Sequence, residues 1–248
     1  MLYGLIGFPL YHSFSAIWFT EKFRQDGKIN HEYRLFPLVY VEDFLSLLRS
    51  ETDLTGVNVT IPYKVSIIPF LDDLDETARA IGAVNTIKIS RINGAIHTKG
   101  FNTDAPGFEL TLTENFRGCK ALILGTGGAS KAVAFALKNK EIPFIFVSRK
   151  PREANMISYN KLNEDIIRKH LLIINTTPLG MYPETNRFPD IPYQYLTPAH
   201  ILYDIIYNPP ETAFLQKGKS MSAQTINGYQ MLENQANQAY RIFTEHSS

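Results

Sequence analysis

A glycine-rich turn between an apolar run and a helical pattern constrains the fold of this chain most. Residues 121–124 are Ala-Leu-Ile-Leu and predict a buried strand, which leads directly into Gly125-Thr126-Gly127-Gly128-Ala129-Ser130 and a helix predicted over 130–140. Gly125 permits a tight turn, and Gly127 allows a ligand to approach the backbone closely. Ser130 stands where a third glycine is often found. This order is typical of a dinucleotide-binding α/β unit, whose helix N-terminus binds the pyrophosphate.

The rest of the chain alternates in the same way. Apolar periodicity predicts strands at residues 2–7, 33–37, 56–61, 85–90, 94–98, 143–147, 171–175 and 201–205, and helices at 15–24, 41–49, 64–71, 75–81, 104–113 and 228–243. Asn93-Gly94 predicts a hairpin. The alternation indicates α/β domains with mainly parallel sheets. We predict a first domain over 1–104, completed by the helix in 228–248, and a Rossmann-like second domain over 105–227.

Composition excludes several classes of protein. The 248 residues carry 25 basic and 24 acidic side chains, a net charge of +1 that indicates neither nucleic acid nor membrane partners. Cys119 is the only cysteine, which excludes an internal disulfide, and we expect it to be a packing residue. The sequence shows no signal peptide and no apolar run of membrane-spanning length. We therefore expect a cytoplasmic protein, a monomer or homodimer, without a metal site.

A basic turn after the predicted strand 143–147 bears on the choice of dinucleotide. NAD-binding proteins usually place Asp or Glu there to hold the ribose 2′-hydroxyl. This chain has Ser148-Arg149-Lys150-Pro151-Arg152. Cations at this position suit a 2′-phosphate, and arginine can contact it with paired donors. The turn favours NADP, although a solvated basic turn would have the same sequence.

Lys64 is the candidate for proton transfer. It closes the run Asn58-Val59-Thr60-Ile61-Pro62-Tyr63-Lys64, and the polar cluster Asn102-Thr103-Asp104 follows about forty residues later. If the fold brings Lys64 and Asp104 together, they form a proton-handling pair. Such a pair beside a hydride carrier indicates interconversion of an alcohol and a ketone.

Further polar residues lie where a ligand would bind. Ser13 and Ser15 are at a helix start, where their hydroxyls could bind a carboxylate or act as N-caps. Other candidates lie near strand ends, the ligand-binding edge of an open α/β sheet, and would suit a hydroxyl-rich ligand: Asn58, Thr60, Asn85, Asn102 and Asp104. They could instead be turn and cap residues. His12 has no evident partner in the sequence, and we assign it a structural role.

Together these segments resemble the shikimate dehydrogenase family along nearly the whole chain. The matching segments, in order, are Gly7-Phe8-Pro9, His12-Ser13-Phe14-Ser15, 58–64, Gly82-Ala83-Val84-Asn85-Thr86, Gly100-Phe101-Asn102-Thr103-Asp104, Gly107-Phe108, 125–130, 175–181, Asp204-Ile205-Ile206-Tyr207-Asn208-Pro209, Gly228, Met231-Leu232 and Gln235-Ala236. The resemblance implies two α/β domains flanking a cleft, and NADPH-dependent reduction of 3-dehydroshikimate to shikimate.

The resemblance also implies roles for individual residues. Lys64 and Asp104 match the catalytic pair. The positions that match substrate contacts are Ser13, Ser15, Asn58, Thr60, Asn85, Asp104, Tyr207 and Gln235. Those that match cofactor contacts are the 125–130 loop, Ser148, Arg149, Lys150 and Thr176, with Glu76, Ile205, Gly228 and Met231 on the nicotinamide side.

Two departures from the family pattern stand out. Tyr63 replaces a histidine that is common beside the catalytic lysine, and the segment after Arg149 is short, which predicts that the helix usually found there is absent or reduced to a turn. Three alternatives remain open: a quinate or dual-specificity dehydrogenase that uses NAD, a folate-linked methylene dehydrogenase, and a non-catalytic sensor of cofactor or metabolite.

Overall fold

The chain divides into two compact units. The computed structural model describes residues 1–10 and 13–245. The first unit comprises Met1–Thr103 and the C-terminal segment from Gln235, and the second comprises Asp104–Asn234. The assignment of His12 lies outside the described residues.

The first unit contains a mixed sheet. Its elements are β1 (Leu2–Gly7), α1 (Phe14–Gln25), β2 (Glu32–Pro37), α2 (Asp43–Ser50), β3 (Leu54–Val59), β4 (Asp73–Leu74), α3 (Glu76–Ile81), β5 (Thr86–Ile92) and β6 (Ala95–Phe101). Among the described residues, the strand order is β2-β1-β3-β5-β6-β4. The β3–β5 and β5–β6 pairs are antiparallel, and the other neighbours are parallel. The sheet is thus mainly parallel, as predicted.

The second unit contains a fully parallel sheet. Its elements are α4 (Asp104–Glu109), β7 (Ala121–Leu124), α5 (Gly128–Asn139), β8 (Phe144–Ser148), β9 (Met156–Ser158), α6 (Glu164–Lys169), β10 (Leu172–Asn175), β11 (Ile201–Asp204), α7 (Ala213–Ser220) and β12 (Gln224–Ile226). The long helix α8 (Tyr229–Thr244) begins here, and its residues from Gln235 belong to the first unit. In the described part of the chain the strand order, read from β9, is β9-β8-β7-β10-β11-β12. With β7 counted as the first strand, this is the Rossmann order 3-2-1-4-5-6. The predicted fold class is confirmed.

The hairpin between β5 and β6 forms where the sequence predicts it. Asn93 has φ 52° and Gly94 has φ 80°, the left-handed backbone that a two-residue hairpin turn needs at both central positions. The hairpin brings the residues before β5 beside those that follow β6, since Thr86 lies opposite Phe101.

The helix predicted over 64–71 is wrong. The chain runs in turns after β3 and forms one short 3₁₀ helix, Ile68–Phe70. Pro69 has no N–H to donate to the carbonyl four residues back. The Ile68 N–H instead donates to the Val65 oxygen at 3.3 Å, a three-residue spacing. Apolar periodicity therefore indicated the burial of this segment but not its backbone.

Aromatic packing joins the C-terminal helix to the first unit. Phe19 and Phe23 of α1 are fully buried and pack with Tyr240 and Phe243 of α8. The Phe19 ring stacks on Tyr33 with centroids 4.6 Å apart. Phe19, Phe23 and Tyr33 are therefore core residues of the first unit.

Seven residues, 149–155, connect the parallel strands β8 and β9 through bends and turns alone. Parallel strands are usually joined by a longer crossover that contains a helix. The predicted absence of a helix after the basic turn is confirmed.

Candidate functional site

A buried hydrogen-bond network lies in the first unit. The antiparallel register of β3 and β5 places Thr86 opposite Asn58. The Asn58 Nδ2 donates to Thr86 Oγ1 at 3.1 Å and to the Asn85 carbonyl at 3.4 Å. The Tyr33 phenol donates to Asn58 Oδ1 at 2.8 Å. Asn85 Nδ2 donates to Thr103 Oγ1 at 2.8 Å.

Two backbone groups fix the direction of these hydrogen bonds. The Thr103 N–H donates to Asn85 Oδ1 at 2.7 Å, so the Asn85 amide nitrogen must face Thr103 Oγ1. The Asn85 carbonyl can only accept, so the Asn58 amide nitrogen must face it. Asn58 Oδ1 is then left toward Tyr33, whose phenol has to donate. The Thr103 N–H and the Asn85 carbonyl therefore fix the orientation of both side-chain amides.

The two serines at the start of α1 differ. Ser13 is the N-cap residue with extended backbone, but its hydroxyl makes no capping hydrogen bond. The Ser15 hydroxyl interacts with the Tyr33 phenol: burial raises the pKa of Tyr33 well above its usual value, and Ser15 opposes that rise. The capping alternative is therefore not supported for the Ser13 side chain, and Ser15 extends the network.

Other predicted substrate residues surround this network. Thr103 Oγ1 donates to Gln235 Oε1 at 3.4 Å, which joins the C-terminal segment to the network. Thr60 directly follows β3, and its N–H donates to the Ile6 carbonyl at 2.9 Å. Asn102 Nδ2 donates to the Ala83 carbonyl at 2.9 Å, so it supports the loop before Asn85.

The predicted proton pair is distributed over the two units. Lys64 lies in the first unit, half-buried, and its carbonyl accepts from the Val84 N–H at 2.7 Å. Asp104 is buried and begins both the second unit and α4. Their pairing stays a prediction.

Tyr63 is held away from the network by its own hydrogen bonds. Its phenol lies 2.7 Å from the Leu38 carbonyl and 2.8 Å from the Val39 carbonyl. The ring is buried in the apolar core of the first unit. The unusual residue beside Lys64 is thus a structural tie to the chain after β2.

The glycine turn of the second unit has the shape that a bound phosphate group requires. Gly125 has φ 111°, and a Cβ there would lie 2.8 Å from Thr176 Oγ1, itself bound to the Leu124 carbonyl. A Cβ on Gly127 would meet nothing within 4 Å. Gly127 is also the N-cap of α5 and supplies no side-chain cap. Open space over an uncapped helix N-terminus fits the pyrophosphate of a dinucleotide.

The rest of the loop has distinct roles. Ser130 is buried, and its hydroxyl donates to the Gly127 carbonyl at 2.6 Å, which stabilises the first turn of α5. Gly128 and Ala129 are the first residues of that helix, and Thr126 is exposed. Ser130 therefore stabilises the turn at the position where other dinucleotide-binding loops often have a third glycine.

The basic turn follows β8 at the same edge of the sheet. Ser148 is buried, and its hydroxyl accepts from the Lys150 N–H at 3.2 Å, which shapes the turn. Arg149 and Lys150 are exposed. Burial raises the pKa of Tyr159 to about 12, and the charge of Arg149 opposes that rise. With serine in place of an acidic residue at the end of β8, the donors present fit a phosphate better than a ribose hydroxyl.

Most of the predicted nicotinamide-side residues lie in the second unit. Gly228 approaches Ile205 so closely that a Cβ would lie 2.0 Å from the Ile205 carbonyl oxygen. Met231 is buried in the core of this unit. Tyr207, which is a predicted substrate residue, also belongs to this unit and lies half-buried after β11. Glu76, in contrast, is an exposed residue of the first unit at the start of α3.

The chain is similar in sequence to known shikimate dehydrogenases. Residues 5–87 match the model of the shikimate dehydrogenase substrate binding domain. A shikimate dehydrogenase (NADP(+)) from Desulforamulus reducens is 37% identical over 265 residues, which cover 97% of this chain and 89% of that protein. The chain belongs to the shikimate dehydrogenase family.

Solved structures of shikimate dehydrogenase relatives share its fold. The shikimate 5-dehydrogenase from Thermus thermophilus in complex with NADP(H) and shikimate has a TM-score of 0.84 at 29% identity, with 98% of this chain and 93% of that chain covered. The quinate dehydrogenase from Corynebacterium glutamicum in complex with NAD has a TM-score of 0.83 at 28% identity, with 98% and 93% covered.

Sequence reasoning missed the hydrogen-bonding role of Tyr33 and Thr86 in this shikimate dehydrogenase family member. Both lie in predicted strands, and the sequence alone assigns no hydrogen-bonding role to either side chain. The available signal was the phenol itself, because a buried tyrosine hydroxyl needs a partner. Within residues 1–10 and 13–245, no helix has the length and apolar character to cross a membrane, and no cluster of His, Cys, Asp and Glu could hold a metal ion.

Proposed function

We propose that this protein catalyses the reversible, NADPH-dependent reduction of 3-dehydroshikimate to shikimate, a step toward the aromatic amino acids. The observation that carries the proposal is the buried network of Tyr33, Asn58 and Asn85, because it lies within the 5–87 segment that matches a substrate binding domain. Fixed amides and hydroxyls suit a small acid that carries several hydroxyl groups.

Recognition of the substrate is assigned to side chains. Ser13 and Ser15 bind the carboxylate at the start of α1, where the helix dipole adds a favourable field. The residues assigned to the hydroxyl and keto groups are Asn58, Thr60, Asn85, Tyr207 and Gln235. Asn58 uses both of its N–H groups within the protein, so it offers the substrate an acceptor.

Proton transfer is assigned to Lys64. NADPH, when bound, supplies the hydride that the ketone carbon receives. Lys64 as an ammonium donates a proton to the developing alkoxide, and as an amine it takes the hydroxyl proton in the reverse direction. Asp104 orients Lys64 and accepts a hydrogen bond from the neighbouring substrate hydroxyl. General acid catalysis of this kind typically contributes about 10²–10⁴-fold to the rate.

Binding of the cofactor is assigned to the second unit with Glu76. The 125–130 loop holds the pyrophosphate, and Ser148, Arg149 and Lys150 hold the 2′-phosphate. Thr176 also contacts the cofactor, and Ile205, Gly228 and Met231 line the nicotinamide side with Glu76. The absence of a carboxylate at the end of β8 supports NADP over NAD.

A spectrophotometric assay tests the proposal. The purified protein is given shikimate with NADP, shikimate with NAD, quinate with NADP and quinate with NAD, and reduced cofactor is followed at 340 nm. Fast turnover in the first pair alone supports the proposal. Preferential turnover of quinate with NAD would support the alternative, which the match to an NAD-bound quinate dehydrogenase favours. No turnover in any pair would favour a sensor.

We also propose that the enzyme acts in the cytoplasm as a monomer or homodimer. The single cysteine supports a reducing compartment, because Cys119 can form no internal disulfide. Cell fractionation and light scattering of the purified protein test both statements.

A further inference from the structure

Asp204 is a buried acid to which the proposed reaction assigns no task. It ends β11 and its side chain has no exposure to solvent. Burial raises its pKa to about 6, and three hydrogen bonds from Thr212, Ile206 and Asn175 oppose that rise. A buried carboxyl group that keeps three hydrogen bonds is held in place by them, since a buried polar group must be hydrogen-bonded.

Three donors from three parts of the second unit meet at this carboxylate. Oδ1 accepts from Asn175 Nδ2 and from the Ile206 N–H, each at 3.1 Å, and Oδ2 accepts from Thr212 Oγ1 at 2.6 Å. The Asn175 amide is oriented by the Thr177 N–H, which donates to its Oδ1 at 3.0 Å. Thr212 is in turn the N-cap of α7. Asp204 thus ties together the chain after β10, the chain after β11 and the start of α7.

Those hydrogen bonds lie next to residues proposed to contact the cofactor. Thr176 directly follows Asn175, and Ile205 directly follows Asp204. The Ile206 carbonyl accepts from the Gly228 N–H at 3.0 Å, so the same chain segment also places Gly228. Three of the proposed cofactor residues are therefore one residue or one backbone hydrogen bond away from the atoms that Asp204 holds.

We propose that Asp204 is a positioning residue for the dinucleotide: its carboxylate holds the loops after β10 and β11 in the geometry that places Thr176, Ile205 and Gly228 against the cofactor. The inference rests on the proposed function. A carboxylate suits this task because it accepts from all three donors at once. An asparagine keeps the Oδ1 contacts, and the Thr212 hydroxyl can turn to accept from its nitrogen.

The same strand offers a matched control at its other end. His200 directly precedes β11, is as deeply buried as Asp204, and also joins separate segments. Its Nδ1 accepts from the Thr197 N–H at 2.9 Å, and its Nε2 lies 3.1 Å from the Ile167 carbonyl. Loss of either side chain removes buried hydrogen bonds from the same unit, but only Asp204 is at the edge with the glycine turn.

The test measures Kd for NADP by calorimetry, without turnover, together with Tm, in full-length Asp204→Ala, Asp204→Asn, Thr212→Val and His200→Ala. We expect lower Tm in both alanine variants, a rise in the NADP Kd of at least tenfold in Asp204→Ala alone, and rescue to within about threefold in Asp204→Asn. Thr212→Val, which removes the hydroxyl that donates to Asp204 Oδ2 and leaves the proposed cofactor residues unsubstituted, should raise the Kd severalfold, and it decides the matter if Asp204→Ala does not fold.

Two results would overturn the inference. One is an unchanged NADP Kd in the folded Asp204 and Thr212 variants, and the other is an equal loss of affinity in His200→Ala. If the wild-type protein binds NADP and oxidises shikimate, either result removes only the role of Asp204. If the wild-type protein does not bind NADP at all, the proposed function falls and the inference falls with it.

Discussion

The two units present different chemistry at their candidate binding edges. In the first unit the polar groups are side chains, such as Asn58 and Asn85, locked in direction by backbone partners. In the second unit the polar groups are backbone N–H donors at a glycine turn, with open space over Gly127. The fixed amides of the first unit favour a ligand whose hydrogen-bonding groups match them, since Asn58 has both of its N–H groups engaged and leaves only its oxygen as a further partner. At the glycine turn, the open space over Gly127 makes added side-chain volume the change most expected to hinder a ligand.

Replacing Lys64 should have the largest effect, since it removes the proposed proton donor and leaves the residues assigned to substrate and cofactor binding unchanged. In Lys64→Ala, we expect kcat to fall at least roughly a hundredfold with little change in KM, because general acid catalysis is lost while binding is kept. Steady-state kinetics with shikimate and NADP measure this. Lys99→Ala is the control, as Lys99 is a half-buried lysine of the same unit paired with Asp73. A nearly unchanged kcat would remove Lys64 from the chemistry.

The basic turn is the place where the second unit should distinguish NADPH from NADH. In Arg149→Ala, we expect the Kd of NADPH to rise by roughly tenfold or more, while that of NADH changes little, because only NADPH carries the 2′-phosphate. Fluorescence titration with both cofactors measures the ratio. Arg168→Ala, which removes an exposed arginine paired with Glu164, is the control. Equal losses for both cofactors would show that Arg149 does not read the 2′-phosphate.

At the glycine turn, an added methyl group should distinguish a steric effect on NADP binding from an effect on protein stability. Gly127→Ala meets no atom within 4 Å and has φ −84°, so Tm should stay constant while the NADP Kd rises about tenfold. Gly125→Ala has φ 111° and a contact at 2.8 Å, so it should also lose about 1 kcal/mol or more of stability. Normal NADP binding by Gly127→Ala would mean that no ligand approaches this backbone.

The buried network should respond to the loss of a single hydroxyl. Tyr33→Phe leaves Asn58 Oδ1 buried without its phenol donor, and we expect a loss of about 1–3 kcal/mol of stability in thermal unfolding. Tyr240→Phe is matched, because Tyr240 belongs to the same aromatic cluster but donates to the partly exposed Asp26. Its loss should be smaller than about 1 kcal/mol. Equal losses would mean that the network adds nothing beyond an ordinary phenol contact.

The two serines of α1 should give the smallest effects. Ser13→Ala and Ser15→Ala should each raise KM for shikimate about 2- to 10-fold, the net worth of one hydrogen bond of about 0.5–1.5 kcal/mol. Tm should not fall in Ser13→Ala, since that hydroxyl caps nothing. A lower Tm with unchanged KM would instead identify the serines as structural caps.

Much of the second unit could be predicted from sequence, because its signals are local. The apolar run of β7, the glycine turn and α5 are contiguous, and each was found. The sequence did not predict the helices α6 and α7 or the strands β9 and β12, since these elements are short and their apolar residues are too few to show a period.

Less of the first unit could be predicted, because its site depends on contacts distant in sequence. Asn58 and Asn85 are predicted as polar residues near strand ends, and Gln235 is predicted from the family resemblance. The hydrogen bonds of Asn58 and Asn85, however, depend on strand register. Tyr33 was missed because an aromatic residue in a strand indicates a core position, and nothing local shows what its phenol meets. Tyr63 shows the converse, since a residue beside Lys64 is engaged elsewhere.

The most direct test of the comparison is calorimetric titration of both ligands into two variants, Asn58→Ala and Gly127→Ala. Shikimate and NADP are titrated separately into each variant and into the wild-type protein. We predict that Asn58→Ala loses affinity for shikimate and keeps its affinity for NADP, and that Gly127→Ala does the reverse. Loss of both ligands in either folded variant, or the opposite pairing, would contradict the division of recognition between the two units.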